Sequence, residues 1–228
     1  MWTSKEIGRK LKKCNAILVS HFGLRRHGNK KNPLDELIYI VLSTQTDEAK
    51  YQSVYSNLKR RFRSWRKIES HHKPEIETIL EPGGLSAIKA DRIISILSTL
   101  DINFGARSLA MLKRMSDADA EKTLCSLPGV GIKTARCIMM YSLDRNVFPV
   151  DTHTFRTLDR LGAHSYPLPV RRWHNHIQAI VPEDIRYSLH VTLVSLGREY
   201  CKATKPNCKD CPMNELCCYS GRLTKVSG

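Results

Sequence analysis

A lysine behind a glycine-rich turn and an aspartate downstream of it are the first candidates for chemistry in this sequence. Lys133 ends the run L-P-G-V-G-I-K, and Asp151 begins the run D-T-H. A neutral lysine amine is a nucleophile, whereas a carboxylate can stabilise positive charge on a reacting carbon. An ordinary lysine has a pKa of about 10.4, so this chemistry requires an environment that lowers it. The start of a helix acts in that direction, while Asp151 would oppose it but could shuttle the proton.

The segment around Lys133 has the pattern of two short helices joined by a tight turn. Ser116 to Asp119 has the S-x-x-D form of a helix start, and apolar residues recur at helical spacing on both sides of the turn. We expect Gly129 and Gly131 to adopt backbone angles that other residues avoid. The amides from Gly129 to Lys133 would then form an anion site at a helix start. An ordinary helical hairpin with a glycine turn is the alternative.

The charge of the chain favours a polyanionic partner. Its 228 residues include 37 Lys and Arg against 22 Asp and Glu, which gives a formal net charge of +15 and a pI near 9.6. Such an excess binds nucleic acid well because binding releases condensed counterions. No apolar run approaches the roughly 18 residues of a membrane-spanning helix. Charges recur through the first residues without an apolar block behind them, so we expect no secretory signal and an intracellular protein.

Four cysteines near the C-terminus form a C-x6-C-x2-C-x5-C array. Thiolates at this density can enclose one metal centre, because the small loops between them are ordered at modest entropic cost. Zinc is one option, although zinc sites more often pair two short-spaced couples across a longer insert. Cys218 lies outside the array and could substitute for its last member. The array comprises Cys201, Cys208, Cys211 and Cys217, whereas Cys14, Cys125 and Cys137 are expected to be small buried residues on helices.

Helical periodicity runs along most of the chain without the alternation of a sheet, so the sequence predicts an all-α protein. Asn32 and Pro33 predict an N-cap and a first-turn proline before a helix that is apolar nearly all round. The basic run at 59–67 indicates either a solvated face or phosphate contacts. Besides a basic loop at 24–31 and the two hairpin helices, we predict helices at 4–22, from 33 to about 42, from about 51 to 62, from 86 through 97, around 109–115, and at 151–162, 170–181 and 185–198.

The hairpin and the V-D-T-H segment that contains Asp151 together resemble the helix-hairpin-helix superfamily of DNA glycosylases, which includes endonuclease III. The cysteine array resembles the [4Fe-4S] loop of the endonuclease III family. The resemblance runs from about Pro33 to Cys217. It implies a two-lobed fold, with a six-helix barrel at 33–145 and a second lobe that joins 1–32 to 146–228 and carries the cluster. Lys133 and Asp151 would face each other across the cleft between the lobes.

The resemblance also implies an activity, because bifunctional members carry a lysine and an aspartate at the positions of Lys133 and Asp151. Such a base-excision-repair glycosylase would remove a base and cleave the abasic site through a Schiff base on Lys133. The [4Fe-4S] cluster on the four cysteines would be a structural and DNA-contacting element. Other interpretations remain: Lys133 as a phosphate-binding lysine, Asp151 as a helix N-cap, and the chain as a non-catalytic DNA-binding module. His153 is expected to support the fold.

A base inside duplex DNA must be extruded before an enzyme can act on it. Gln45 resembles the family glutamine that fills the vacated space, and Leu85 resembles the apolar residue that enters the stack. A capping glutamine and a core leucine are the alternatives. The expected partner is double-stranded DNA with a damaged or modified base, bound by a monomer. Further DNA contacts are expected at Leu127, Gly129, Val130 and Gly131.

The identity of the removed base stays open at this point. Oxidised pyrimidines are the default substrate that the resemblance implies. The segment from Ser188 to Met213 also resembles plant 5-methylcytosine glycosylases, and mismatched thymine is a third candidate. Gln45 is followed by Thr46-Asp47-Glu48 instead of the family's usual continuation, which puts base preference in doubt.

Overall fold

The computed structural model describes residues 3–24, 29–163 and 170–220. Within these ranges every regular element is an α-helix or a short 3₁₀ helix, which confirms the all-α prediction. Residues 25–28 of the predicted basic loop lie outside the described ranges. In those ranges no helix is both long enough and apolar enough to cross a membrane. The α-helices are α1 (Ser4–Phe22), α2 (Pro33–Ser43), α3 (Glu48–Arg61), α4 (Lys73–Leu80), α5 (Ser86–Phe104), α6 (Asp117–Cys125), α7 (Ile132–Leu143), α8 (Thr152–Arg160), α9 (Val170–Ile180) and α10 (Arg186–Glu199).

The chain divides into two compact units. The first unit joins residues 1–27 to 146–228 and contains α1 and α8–α10, whereas the second unit consists of residues 28–145 and contains α2–α7. Short 3₁₀ helices connect several of these elements, at Trp65–Lys67, Ser70–His72, Glu81–Gly83, Ala110–Arg114, Glu183–Ile185 and Asn214–Leu216.

Helix α2 positions the other helices of the second unit. Asn32 caps it as predicted, because its side chain accepts hydrogen bonds from the backbone amides of Leu34 and Asp35 at 2.9 and 3.2 Å. Eight of its residues are buried, so α2 can pack on several sides at once. It contacts α3, α5 and α7, and Ser142 of α7 donates a hydrogen bond to the carbonyl of Lys30 at 2.6 Å.

The first unit is built around contacts of α10 with α1 and α8. Helix α1 covers the predicted residues 4–22, starting at a capping box between Thr3 and Glu6 and ending at Gly23. Helix α8 approaches α10 closely at Gly197. A Cβ atom on Gly197 would lie 2.7 Å from the Cβ of His153, so this contact requires glycine. His153 therefore supports the packing of α8 on α10, in line with the expectation from the sequence.

Two predicted elements differ in detail from the structure. The helix expected around 109–115 is a 3₁₀ helix at Ala110–Arg114. Leu112 within it and the N-cap residue Leu109 before it are buried, and a spacing of three suits the three-residue turn of a 3₁₀ helix. The helix expected at 185–198 begins with a 3₁₀ turn, so that α10 proper starts at Arg186.

Candidate functional site

The predicted hairpin turn joins α6 to α7 within the second unit. Ser116 caps α6 by accepting from the amide of Asp119 at 3.1 Å, as predicted. The turn is closed by a hydrogen bond from the amide of Val130 to the carbonyl of Leu127 at 3.1 Å. Gly129 has a φ of +69°, which favours glycine. A Cβ there would also lie 2.6 Å from the guanidinium group of Arg92.

Gly131 differs from its expected conformation. Its φ is −100° and its ψ is 176°, which is extended backbone open to any residue, so the prediction of unusual angles holds only for Gly129. A Cβ on Gly131 would meet nothing within 4 Å. The missing side chain therefore leaves open space next to the start of α7, and a ligand can approach the backbone there.

The hairpin turn exposes the backbone of its glycines to solvent, while its apolar side chains are buried. Leu127 and Val130 are buried, with 2% and 7% of their surface exposed, whereas Gly129 and Gly131 are exposed. Gly131 is the N-cap of α7 and has no side chain to accept from the following amides, and the first turn of α7 contains no acidic residue. The first amides of α7 and its dipole therefore favour an anion.

Lys133 is the second residue of α7, and its side chain is half-buried. It lies within electrostatic range of Glu36, a fully buried acid of α2. Burial raises the pKa of Glu36, while hydrogen bonds from the amide of Lys30 and the side chain of Asn29, both at 2.6 Å, and the positive charge of Lys133 oppose the rise. Glu36 is not among the site residues predicted from the sequence. A lone acid on the buried face of an apolar helix could have indicated it.

Asp151 belongs to the first unit and is the N-cap of α8. Its Oδ1 accepts from the amide of Thr154 at 2.7 Å and from the Thr154 hydroxyl at 2.5 Å, and the Asp151 amide donates back to that hydroxyl at 3.4 Å. This capping box is the structural role that the sequence left open. It also fixes the orientation of the carboxylate, because one of its oxygens is held by two donors.

Residues further along α8 connect it to other parts of the first unit. Arg156 donates to the carbonyls of Cys201 and Gly197 at 2.7 and 3.1 Å, and one of its nitrogens lies 3.1 Å from Nδ1 of His153. Burial lowers the pKa of His153, and the positive charge of Arg156 acts in the same direction. A neutral imidazole suits the packing role of His153.

Gln45 and Leu85 occupy two exposed turns of the second unit. Gln45 lies between α2 and α3, and Leu85 directly precedes α5. Leu85 is 41% exposed, so it is not a core residue. Both residues have left-handed backbone angles, with φ values of +50° and +53°. For residues with side chains this conformation is strained, and strained positions cluster at functional sites.

The four cysteines of the array line one pocket in the first unit, together with Arg160, Tyr200 and Asn207. Burial raises the pKa of Cys211 to about 11 and also that of Cys208. The neighbouring thiols of the array also act to raise the pKa of both groups. Within the described part of the chain, no three His, Cys, Asp or Glu side chains converge closely enough to hold a single metal ion. The pocket lies between these thiols: Cys201, Cys208, Cys211 and Cys217.

The remaining cysteines are placed differently. Cys218 is exposed, its thiol lies 3.5 Å from both the carbonyl of Leu161 and Nζ of Lys10, and it is not one of the residues that line the pocket. Cys14 and Cys137 are buried as expected, whereas Cys125 is only half-buried. Its position near the end of α6 explains this difference.

The basic run at 59–67 is partly structural. Lys59 forms an ion pair with Asp35 at 3.1 Å and lies over the ring of Trp65. Arg61 pairs with Glu75, and Phe62 is fully buried. A pocket in this part of the second unit has a basic lining that includes Arg61, Arg63, Lys67 and His72. The residues of the hairpin turn do not line this pocket.

Comparison with known proteins identifies the class to which this fold and site belong. A family model described as "HhH-GPD superfamily base excision DNA repair protein" matches residues 38–181. The match spans more than half of the chain, and the chain belongs to this superfamily. The family predicted from the hairpin and the V-D-T-H segment is confirmed, as is its endonuclease III-like character.

Individual relatives support the same assignment. The chain is 30% identical over 200 residues to Endonuclease III of Rickettsia conorii, covering 84% of this chain and 90% of that protein. A solved structure, "Structure of a non-covalent Endonuclease III-DNA Complex", matches with a TM-score of 0.80 and 25% identity over 99% of this chain and 100% of the other.

Plant relatives are longer than this chain. The chain spans 66% of the length of an Arabidopsis thaliana relative to which it is 31% identical over 193 residues. It is 29% identical over 171 residues to "DNA glycosylase/AP lyase ROS1" of the same species. The aligned region covers 67% of this chain but only 12% of ROS1.

The capping box at Asp151 leads to a prediction about stability. Asp151→Ala removes the acceptor for the Thr154 amide and should lower the free energy of unfolding by about 1 kcal/mol. Asp151→Asn keeps an acceptor oxygen and should lower the free energy of unfolding by only a few tenths of a kcal/mol, since asparagine is also a good N-cap. Urea unfolding at constant m-value measures both changes. Equal losses of unfolding free energy in the two variants would show that α8 is stabilised by the negative charge of Asp151 and not by its capping hydrogen bond.

Proposed function

We propose that this protein is a bifunctional DNA glycosylase and abasic-site lyase that acts on double-stranded DNA inside the cell as a monomer. The observation that carries the proposal is the position of Lys133 in the first turn of α7, directly behind an exposed glycine turn whose amides favour phosphate. Membership in a base excision DNA repair superfamily supports it. The printed name of ROS1 joins the same two activities in one relative.

Lys133 supplies the nucleophile in this proposal. Its neutral Nζ attacks C1′ of the target nucleotide and loses a proton, while the bond between C1′ and the base breaks and the base leaves with a proton. The sugar ring then opens to give an iminium between Nζ and C1′. Removal of a proton from C2′ allows the C3′–O bond to break, which cuts the strand.

The surroundings of Lys133 affect the proton that it must lose. The positive end of the α7 dipole favours the neutral amine, whereas an ionised Glu36 would favour the ammonium. Burial raises the pKa of Glu36 and so disfavours the ionised form that would oppose the activation of Lys133.

Asp151 supplies the carboxylate. It would stabilise the cationic character that the sugar develops as the base departs, and it would accept the proton from the attacking amine. Its cap bonds to Thr154 hold the group in one orientation, which limits the reorganisation needed during the reaction. A structural and a chemical role are therefore compatible in one side chain.

Backbone amides and exposed side chains of the second unit supply the DNA contacts. The amides at the start of α7 would bind a phosphate, and the net charge of +15 would add a strong dependence of affinity on salt. Gln45 and Leu85 would enter the duplex and fill the place of the extruded base. Leu127 and Val130 are buried, so they would act through their backbone and by supporting the turn.

We further propose that Cys201, Cys208, Cys211 and Cys217 hold a [4Fe-4S] cluster. The donor set fits, because all four thiols line one pocket and Arg160 donates a hydrogen bond to Sγ of Cys201 at 3.3 Å. Bound there, the cluster would cross-link four points of the C-terminal loop. Arg160 also holds the loop through the carbonyls of Lys202 and Ala203 at 2.8 and 3.1 Å.

The lyase proposal predicts a covalent intermediate on Lys133. Borohydride should trap the protein on abasic duplex DNA, and Lys133→Gln should reduce trapping by about 100-fold or more, because no other amine replaces it. Lys122→Gln, which removes an exposed lysine of α6, is the matched control and should trap normally. Undiminished trapping in Lys133→Gln would place the nucleophile elsewhere. A wild-type protein that binds abasic DNA tightly but never cleaves it would favour the non-catalytic DNA-binding module.

The cluster proposal predicts a brown protein with about four irons per chain. Cys211→Ala should lose most of the iron and unfold at a lower temperature, because it removes a ligand. Cys125→Ala is the matched control, since Cys125 lies on α6 outside the first unit and should leave the iron content unchanged. A colourless, folded wild-type protein that contains one zinc ion would contradict the cluster.

A panel of duplexes tests the substrate. With thymine glycol, 5-methylcytosine and a G·T mismatch placed in the same sequence, we expect single-turnover base release to be fastest for thymine glycol. Asp151→Asn should slow release from that duplex by about 100-fold or more while keeping the fold intact. Clearly faster release of 5-methylcytosine or mismatched thymine would change the substrate and leave the lysine mechanism in place.

A further inference from the structure

Lys89 of α5 is a buried lysine that the proposed chemistry does not use. Only 3% of its surface is exposed, and its Nζ donates hydrogen bonds to Oγ1 of Thr46 at 2.6 Å and to the carbonyl of Gly83 at 2.8 Å. The Thr46 hydroxyl also donates to that carbonyl at 2.5 Å. Each of these three polar atoms therefore contacts the other two, and the Thr46 hydroxyl also lies 3.0 Å from the carbonyl of Thr44. Among the described residues, Lys89 takes part in no ion pair.

The contacts of Lys89 join the two turns that present Gln45 and Leu85. Thr46 directly follows Gln45, and Gly83 lies two residues before Leu85. The two turns are 37 residues apart in sequence where Thr46 meets Gly83. No contact between the side chains of Gln45 and Leu85 is needed to hold them together, because Lys89 connects the backbone segments that carry them.

We propose that Lys89 is a positioning residue that holds Gln45 and Leu85 as one rigid unit for insertion into duplex DNA. The inference rests on the proposed function, in which these two exposed residues enter the base stack. It adds that insertion requires the two turns to be fixed relative to each other, and that the ammonium group of Lys89 and the Thr46 hydroxyl together fix them.

Stability alone gives a poor account of a lysine in this place. Burial of an ammonium group without a carboxylate partner is unfavourable, and desolvation lowers the pKa of Lys89 accordingly. A methionine of similar length would fill the same space without that cost. The compensating property of lysine is its set of directed donors, which reach a hydroxyl and a carbonyl on two different turns at once.

The strained backbone at both turns supports the same conclusion. Left-handed angles at residues with side chains persist only where the surrounding contacts determine them. Gln45 and Leu85 both have such angles, and each lies within two residues of a group that Lys89 holds. Stacked bases would resist the entry of a side chain between them. A turn that changed its backbone conformation under this resistance would no longer direct its side chain into the stack.

Two variants and two controls test the role of Lys89. Lys89→Met and Thr46→Val each remove one side of the connection, whereas Thr46→Ser keeps the hydroxyl and is the conservative control. Lys113→Met, an exposed lysine elsewhere in the second unit, controls for the loss of one positive charge. The readouts are base release from a lesion-containing duplex, strand cleavage at a preformed abasic site, and the fluorescence rise of 2-aminopurine placed beside the lesion, which reports unstacking.

Lys89→Met and Thr46→Val should slow base release by about tenfold or more while cleavage at the abasic site stays within about twofold, because no base need be extruded there. Both should lose most of the fluorescence rise, and Lys89→Met should unfold at the same temperature as the wild type or higher. Combining Lys89→Met with Leu85→Ala should add little to either single loss, since both changes remove the same insertion step. Thr46→Ser and Lys113→Met should behave as the wild type.

The outcomes separate this inference from the proposed function. A wild type that raises the fluorescence but releases no base, with the rise lost in Lys89→Met, would refute the enzyme activity and support the positioning role. Equal losses of base release and abasic-site cleavage in both variants would reduce Lys89 to a general structural residue. A fluorescence rise in Lys89→Met as large as in the wild type would overturn the inference. The absence of any fluorescence rise in the wild type would overturn it as well.

Discussion

The start of α7 is a place where backbone amides need an acceptor and no capping side chain supplies one, because Gly131 is the cap. Such a start is useful for binding only if it does not move. Ala135, Ile138 and Met139 are fully buried, and α2 and α6 both pack against α7. The buried hydrophobic face of α7 therefore holds the first amides of this helix and Lys133 in fixed positions relative to each other. In the proposed function, a bound phosphate would supply the acceptor that no side-chain cap provides.

A comparable coupling of structure and chemistry exists in the first unit at α8. Asp151 starts this helix, and arginines in its second and third turns hold the cysteine loop through the carbonyls of Cys201 and Lys202. The helix has nine residues, so its two ends move together. Order in the cysteine loop therefore bears on the orientation of the carboxylate, even though no cysteine is part of the proposed reaction.

Local signals in the sequence were sufficient for most of the helices. The caps at Asn32 and Ser116 depend on residues within three positions, and Gly129 is needed because of its own backbone angle. The roles of Lys89 and Glu36 depend instead on contacts that the fold creates. In the sequence Lys89 is an ordinary helix lysine, and only the approach of residues 46 and 83 gives it partners. The exposure of Leu85 is similarly a property of the fold, so the sequence left open whether it is a core residue.

The backbone angles add a constraint that sequence patterns do not contain. In the described ranges four residues other than glycine have positive φ: Gln45, Leu85, Asp144 and Lys205. Asp144 ends α7, a position where a left-handed residue is common. Gln45 is the third residue of a turn that the amide of Thr46 closes on the carbonyl of Ser43 at 3.3 Å, a place that requires positive φ and usually holds glycine. Leu85 has no such local reason, and each left-handed angle costs about 1–3 kcal/mol. Glycine would remove this cost at both positions but would also remove the side chains. The strain is therefore best explained by a need for those two side chains at those two places, where the contacts of Lys89 keep both turns in this conformation.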